Sequence, residues 1–303
     1  MKIIIVTGEL PHHKHLCVEL SKTHNVEGII HPRIAPGSLK KRWSRLVRRI
    51  RTYGIIHTFL NSASRLPKWL SGWEMSIEGR RAESEFFLTS VREYETLERR
   101  LIHSDVDVGS TAALEVIRRV GPDVVVCLGG PVYPKSFIES VPLMLNYHSG
   151  LSPLYNGASA VHFAFANGHP HLCGGTLMRM GAVVDGGDIL GHYLPELNES
   201  DTPATLFMKT LSGTVKMYDR ILGYLDLSGA ALCAVTQKPP LFYYRGIDWT
   251  IYHARMVRWH LRKKLAAKHV RPERSIEYWR ESDNEAAQRL YEITISQLLW
   301  GSL

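Results

Sequence analysis

The chain opens with Lys2-Ile3-Ile4-Ile5-Val6-Thr7-Gly8, a continuous β-branched run that ends at a glycine. An apolar run without alternation predicts a strand buried on both faces, which is typical of a parallel sheet covered by helices. The following residues predict a helix over 13–21 and a second strand over 26–31. Two strands joined by a crossover of this length form one right-handed βαβ unit. The start of the chain therefore predicts an α/β fold.

The same alternation of predicted strands and helices returns after residue 110. The pattern predicts a helix over 111–120, strands over 124–128, 143–146, 175–180 and 189–194, and a helix that runs through 209–222. We therefore predict a doubly wound, mostly parallel sheet in one domain, residues 1–225. Residues 36–100 interrupt this alternation and are interpreted as a helical insertion. Residues 226–303 are interpreted as a small, mainly helical C-terminal appendage.

Composition excludes several classes of protein. The 303 residues are 45% hydrophobic and 22% charged, as in ordinary globular chains. The four cysteines have no CxxC spacing, so we expect reduced thiols and no structural metal. No stretch approaches the roughly 20 apolar residues that span a bilayer, and no signal peptide is evident. We therefore expect a cytoplasmic protein without a membrane span.

The formal net charge of +8 suits an anionic ligand. Much of it lies in a basic run over residues 40–51, whose apolar residues follow helical spacing, so we interpret the run as an amphipathic helix with a solvated basic face rather than a nucleic-acid patch. Three histidines, His12, His13 and His15, lie at the start of the first helix. Without a carboxylate or cysteine at ligand spacing, a solvated cluster is favoured over a metal site.

Asn146-Tyr147-His148 lies at the end of a predicted strand, where alternation places Asn146 and His148 on the same side. An amide can donate to a developing oxyanion, an imidazole can move protons near neutral pH, and a carboxylate such as Asp185 can orient that imidazole. These three residues are therefore a candidate catalytic set. The alternative for Asn146 and His148 alone is a structural pair that caps a loop.

The wider motifs are Asn-x-His followed by Leu-x-Pro-x-Tyr-x-Gly, over residues 146–157, and Asp-Gly-Gly-x-Ile-Leu, over residues 185–190. Together they resemble the folate-dependent formyltransferase family, which includes glycinamide ribonucleotide transformylase, methionyl-tRNA formyltransferase and the sugar N-formyltransferases. The resemblance covers residues 1–225 and is strongest over 121–190. It implies a Rossmann-like fold, transfer of a formyl group from 10-formyltetrahydrofolate to an amine, and catalytic roles for Asn146, His148 and Asp185.

The resemblance also implies a folate pocket made from two segments of the chain. One is the backbone after the strand at 124–128, and the other is the loop before Asp185. The residues concerned are Gly130, Pro131, Val132 and Tyr133 in the first segment, and Ala182, Val183 and Val184 in the second.

Two departures within the family bear on the acceptor. The His-x-Gly-Leu-Ser-Pro loop at 148–153 resembles that of formyltransferases from polysaccharide biosynthesis. The first loop, Thr7-Gly8-Glu9-Leu10, lacks the glycine-rich pattern with which ribonucleotide transformylases hold a phosphate. We therefore expect a small-molecule acceptor, the amine of a nucleotide-linked amino sugar, and no nucleic-acid partner.

Three alternatives remain. Methionyl-tRNA formyltransferase matches the basic charge, but a β-barrel like the one that follows its Rossmann domain fits residues 226–303 poorly. Formyltetrahydrofolate hydrolase would call for a regulatory domain before the first strand, which here begins at residue 2. A non-catalytic folate- or sugar-binding protein would not need the intact catalytic set.

An aromatic group in the appendage has its own alternatives. It comprises Phe242, Tyr243, Tyr244 and Trp249. We interpret it as the core of the appendage, because aromatic side chains dominate the burial of small domains. The other interpretations are a stacking platform for a base or sugar ring, and a contact between two copies in a homodimer.

Overall fold

The computed structural model describes residues 1–33, 43–44, 46–48, 50–51, 54–56, 58–59, 83–181, 186–228 and 231–300. An eight-stranded sheet organises them. Its strands are β1 (Ile3–Thr7), β2 (Val26–Pro32), β3 (Ile102–Val106), β4 (Val124–Leu128), β5 (Met144–His148), β7 (Gly175–Arg179), β8 (Ile189–Leu194) and β10 (Arg274–Glu277). A separate parallel pair consists of β6 (Tyr155–Gly157) and β9 (Phe242–Tyr244).

Eight α-helices accompany the strands in residues 1–33 and in the described residues from 83 onward. They are α1 (Pro11–Thr23), α2 (Leu88–Tyr94), α3 (Thr111–Val120), α4 (Lys135–Ile138), α5 (Ala160–Ala166), α6 (Pro203–Ser228), α7 (Ile251–Arg262) and α8 (Asn284–Leu299). Helix α3 shows how local sequence sets such bounds. The Ser110 side chain caps its first turn by accepting from the Ala113 N–H, and Gly121 ends it in the left-handed conformation.

The strand order is β10-β8-β7-β5-β4-β1-β2-β3. Strands β1 to β5 are parallel, whereas β7 runs antiparallel to β5, β8 to β7, and β10 to β8. The order reverses at β1, which has β2 on one side and β4 on the other. An open sheet of this kind binds ligands in the crevice at such a reversal, outside the carboxyl ends of its strands. The predicted fold class is confirmed.

Burial on both faces explains the continuous apolar runs of β1 and β4, whose residues are all buried. Ile3 and Ile5 pack toward Leu16 of α1 and the core under α6, whereas Ile4 packs toward Ile117 of α3. Because alternate residues of one strand serve two hydrophobic cores, a polar residue would be costly at any of these positions.

The predicted insertion at 36–100 lies partly outside the described residues. Its described end contains α2, which packs against α1, and Phe87 just before α2 is buried. Within the basic run, the described residues 43–44, 46–48 and 50–51 are helical, as predicted. The rest of that run lies outside the described residues.

Residues after 230 contain more regular structure than the sequence pattern predicts. Helix α7 lies within the helix that the sequence pattern predicts over residues 249–264, but β10 and α8 were not predicted. Strand β10 adds an edge to the main sheet by pairing with β8, with Ile276 opposite His192. The His192 imidazole is buried, with Nδ1 2.9 Å from the Tyr278 hydroxyl and Nε2 2.7 Å from the Ser152 carbonyl oxygen. The division of the chain at residue 225 stays a prediction.

The aromatic group at 242–249 packs mainly into a core, as predicted, but that core is shared with residues of the predicted domain 1–225 and is not the appendage's own. Tyr244 stacks on Phe163 with ring centroids 3.9 Å apart, and Phe242 stacks on Tyr155 at 4.8 Å. Tyr243, which points the other way along β9, is 54% exposed.

None of the described helices is long and apolar enough to cross a bilayer.

Candidate active site

A cavity of about 240 Å³ opens at the point where the strand order reverses. Its wall comes from the first turn of α1, the segment from the end of β4 to α4, the end of β5, the segment after β7, and α6. The side chains and backbone that line it include His12, His13, Gly129, Gly130, Pro131, Val132, Tyr133, Asn146, His148, Met180, Gly181 and Phe207.

Strand β5 brings Asn146 and His148 to this cavity. The two residues are two positions apart and both line it. Between them, the buried Tyr147 hydroxyl donates to the carbonyl oxygen of Thr210 in α6 at 2.8 Å. Asn146 also lies in register with Cys127 of β4 and Met178 of β7, so central strands on both sides fix its backbone. The structure thus places the predicted amide and imidazole together, while their catalytic roles stay a prediction.

The third predicted catalytic residue, Asp185, lies outside the described residues, together with the predicted folate contacts Ala182, Val183 and Val184. The described chain nevertheless approaches the cavity on either side of them. Gly181 lines the cavity, and a Cβ built on it would lie 3.5 Å from Gly187 Cα. The two ends of this loop therefore meet at the cavity wall.

The other predicted folate contacts, Gly130 to Tyr133, all line the cavity. Gly129 and Gly130 have φ values of 66° and 109°, which only glycine adopts readily. A Cβ on Gly130 would also collide with the Tyr133 hydroxyl, which donates to the Gly129 carbonyl oxygen at 3.1 Å. Burial raises the pKa of Tyr133 well above its ordinary value, so this hydroxyl remains a donor. Val132 is left 72% exposed beside the cavity.

Gly150 gives the His148 imidazole its space. A Cβ built on Gly150 would lie 2.5 Å from His148 Nε2 and 2.5 Å from the Tyr155 carbonyl oxygen. Tyr155 is itself buried and lies in β6, which pairs with β9, so that carbonyl has little room to move. The glycine of the His-x-Gly motif is thus required by packing against the candidate catalytic side chain.

We expect Gly150→Ala to lower the free energy of unfolding by about 1–3 kcal/mol and to impair any activity that depends on His148, because the added methyl group overpacks the site. Chemical denaturation and an activity assay measure the two effects. The matched control is Gly223→Ala in α6, where a Cβ meets no atom within 4 Å. That variant should be at least as stable as wild type, because alanine favours a helix. Equal behaviour of the two variants would contradict the packing argument.

His12 and His13 are site residues that the sequence did not identify. Both are buried and line the cavity, so the prediction of a solvated cluster was wrong for them. Residues 83–94 cover part of this turn: the His12 imidazole pairs with the buried Glu83 carboxylate, and His15 Nδ1 lies 2.8 Å from Ser90 Oγ. The one available signal was their position in the first turn after β1, where ligands of such sheets bind.

His13 is held as a neutral ring. Burial, and to a smaller extent repulsion from His12 and His31, lowers its pKa to about 2. Its Nδ1 accepts from the Leu10 N–H at 3.3 Å, and a Cβ on Gly8 would lie 2.5 Å from the same nitrogen. Among the described residues, no group of three or more histidine, cysteine, aspartate or glutamate side chains is arranged to hold a metal ion.

Comparison with known proteins agrees with this geometry. Residues 90–222 match the formyl transferase family, a segment that begins in α2 and includes β3, β4, β5, β7 and β8. Methionyl-tRNA formyltransferase from Streptococcus agalactiae is 29% identical over 146 residues, which are 48% of this chain and 47% of that protein. The enzyme of the same name from Nitratiruptor is 34% identical over 118 residues, 36% of this chain and 38% of its own length. The chain thus spans about half or less of the length of these curated relatives.

Among solved structures, a suggested sugar N-formyltransferase from Mycobacterium tuberculosis superposes with a TM-score of 0.50 and 14% identity, covering 82% of this chain and 76% of that one. At this identity the likeness concerns the fold. The family match rests instead on the segment that contains Asn146, His148 and the Gly129-Gly130 turn. The resemblance seen in the two sequence motifs is confirmed over residues 90–222, the segment that matches the formyl transferase family.

Proposed function

We propose that the protein is an N-formyltransferase that moves a formyl group from 10-formyltetrahydrofolate to the amine of a small-molecule acceptor. The observation that carries this proposal is the shared cavity: Asn146 and His148 line it from β5, and the Gly129-Gly130 turn lines it from β4. The formyl transferase match over residues 90–222 supports the same reaction.

Each member of the candidate set has a distinct role in this reaction. As the amine attacks the formyl carbon, the formyl oxygen becomes an oxyanion, which the Asn146 side-chain amide stabilises as a hydrogen-bond donor. His148 takes the proton that the attacking nitrogen loses and delivers it to the departing folate nitrogen. Asp185 orients the imidazole.

The folate would lie against the segment from Gly130 to Tyr133 and the residues Ala182, Val183 and Val184. The described half of this pocket suits a flat heterocycle with polar edges. Gly130 carries no side chain, so a ligand can approach its backbone closely. Val132, largely exposed at the cavity, offers apolar surface that a bound ring would cover.

For the acceptor we propose a nucleotide-linked amino sugar, in the biosynthesis of a polysaccharide in the cytoplasm. The His-x-Gly-Leu-Ser-Pro loop at 148–153 and the net charge of +8 support this class. The first turn of α1 supports it further, because the buried His12 and His13 occupy the place where a ribonucleotide enzyme would present a glycine-rich loop.

Methionyl-tRNA is the second candidate acceptor, and two observations favour it. The curated relatives above are methionyl-tRNA formyltransferases. In addition, α7 presents aromatic and basic side chains on one exposed surface, as proteins that bind single-stranded nucleic acid do. This surface contains Tyr252, Arg255, Arg258, Trp259 and Arg262.

A panel of acceptors tests the proposal. The protein is incubated with 10-formyltetrahydrofolate and, in separate reactions, nucleotide-linked amino sugars, methionyl-tRNA, or buffer alone. We expect an amino sugar to gain the mass of one formyl group. Gain on methionyl-tRNA alone would establish the second candidate, formate release without an acceptor would indicate a hydrolase, and no reaction with folate bound would indicate a non-catalytic binding protein.

A further inference from the structure

A second histidine reaches the cavity with a buried carboxylate behind it. His12 lies in the first turn of α1, and its Nδ1 is 2.5 Å from Glu83 Oε1. The two side chains are about one-tenth exposed. His12 lines the cavity that Asn146 and His148 line, whereas Glu83 lies behind it on the segment that leads into α2. The imidazole therefore contacts a buried carboxylate through Nδ1 and also lines the cavity.

The carboxylate determines which nitrogen of the ring carries the proton. An ionised carboxylate only accepts hydrogen bonds, so Nδ1 must be the protonated nitrogen of a neutral His12 ring. Nε2, the ring nitrogen away from Glu83, then keeps its lone pair. A proton taken up at Nε2 is stabilised by Glu83 across the ring, which is how a buried carboxylate assists a histidine base.

The reaction proposed above calls for such a base in addition to His148 when the acceptor binds as an ammonium ion. A primary amine near neutral pH is largely an ammonium ion, which has no lone pair with which to attack the formyl carbon. His148 carries a proton from the attacking nitrogen to the folate nitrogen and returns to its starting state. The first proton of the ammonium ion must therefore leave by another route.

We propose that His12, held by Glu83, takes this proton from the acceptor ammonium, an inference that rests on the proposed formyl transfer. The N–H bond of the ammonium breaks and its proton goes to His12 Nε2. The freed lone pair forms the bond to the formyl carbon, and the bond from that carbon to the folate nitrogen breaks. One proton per turnover remains on His12 and passes to solvent when the product leaves, so charge and atoms balance.

The surroundings of His12 are compatible with this role. Glu83 is the acidic partner. His13 and His15 on the same helix lie near enough to repel a charged ring, and burial lowers the pKa of both, so they stay neutral. Across the cavity are the ionisable side chains of His148 and Tyr133. Helix α6 contributes Phe207, whose ring centroid lies 6.4 Å from that of His12.

The kinetic test compares wild type, His12→Gln, Glu83→Gln and His15→Gln over a range of pH with UDP-glucosamine as the amine. Without the base, only acceptor that is already neutral can react. We expect kcat/KM of His12→Gln to fall further behind wild type as the pH is lowered below the ammonium pKa, by up to tenfold per pH unit, and to approach wild type above it. Glu83→Gln should show the same trend more weakly. His15→Gln, which alters the same helix contact outside the cavity, should follow wild type.

A gap between His12→Gln and wild type that is the same at every pH would assign His12 a structural role and overturn the inference. Imidazole ¹⁵N spectra of the free protein provide a test that needs no acceptor. We expect the neutral His12 ring to be the tautomer that carries its proton on Nδ1, and to lose this preference in Glu83→Gln. A neutral His12 ring that carries its proton on Nε2 would overturn the inference, whether or not any acceptor is formylated. A failure to formylate any acceptor would instead count against the proposed function.

Discussion

His148→Ala is expected to lower kcat for formyl transfer by about 10²–10⁴-fold while the protein stays folded and still binds folate, because a positioned acid–base group contributes a factor of that size. Steady-state kinetics measures the loss, and circular dichroism with a folate titration checks the fold and the pocket. His103→Ala serves as the control, since His103 lies in β3 at the far edge of the sheet. Turnover close to wild type in His148→Ala would remove His148 from the mechanism.

The same experiment extends to Asp185→Ala. If Asp185 orients the imidazole, its loss should resemble that of His148, and the double variant should be little worse than either single variant, because residues that act as a unit are not additive. Independent, multiplying losses would show that the two residues act separately.

Asn146→Ala is expected to reduce kcat by about 10²–10³-fold and to leave the Kd for tetrahydrofolate unchanged, because the amide is aimed at charge that exists only in the transition state. Asn146→Asp, which keeps the shape but replaces the donor with a negative acceptor, should be worse than alanine. Stopped-time assays give kcat, and fluorescence titration gives Kd. A loss confined to folate affinity would assign Asn146 to ligand binding instead.

The sheet could be predicted largely because its central strands obey a strict local rule. β1 and β4 are buried on both faces, so each is an uninterrupted apolar run that the sequence displays directly. Strand β10 gives no such signal, since Ile276 is its one buried residue. Its place in the sheet follows from pairing with β8 about 80 residues earlier, a long-range contact that no local pattern encodes.

The candidate site also contains residues that local sequence predicts and residues that it does not. Strand alternation predicts that Asn146 and His148 point to the same side of the sheet. The position of Gly130 at the cavity is predicted by the strand that ends just before it. The burial of His12 does not follow from its neighbours in sequence, because Glu83, 71 positions later, covers it. Three histidines in the first turn of an exposed helix would indeed be solvated. The segment that packs on α1 covers His12, which lines the cavity.

The pairing of β10 with β8 bears on how the chain can be divided. Without β10, the edge of β8 would present a row of unpaired amide and carbonyl groups beside the buried Tyr193, and such an edge recruits strands from other molecules. A fragment that stopped after α6 would keep the sequence motifs of the family yet gain a surface prone to aggregation. In exchanges of C-terminal segments between relatives, the incoming segment would have to protect this edge before it could alter the choice of acceptor.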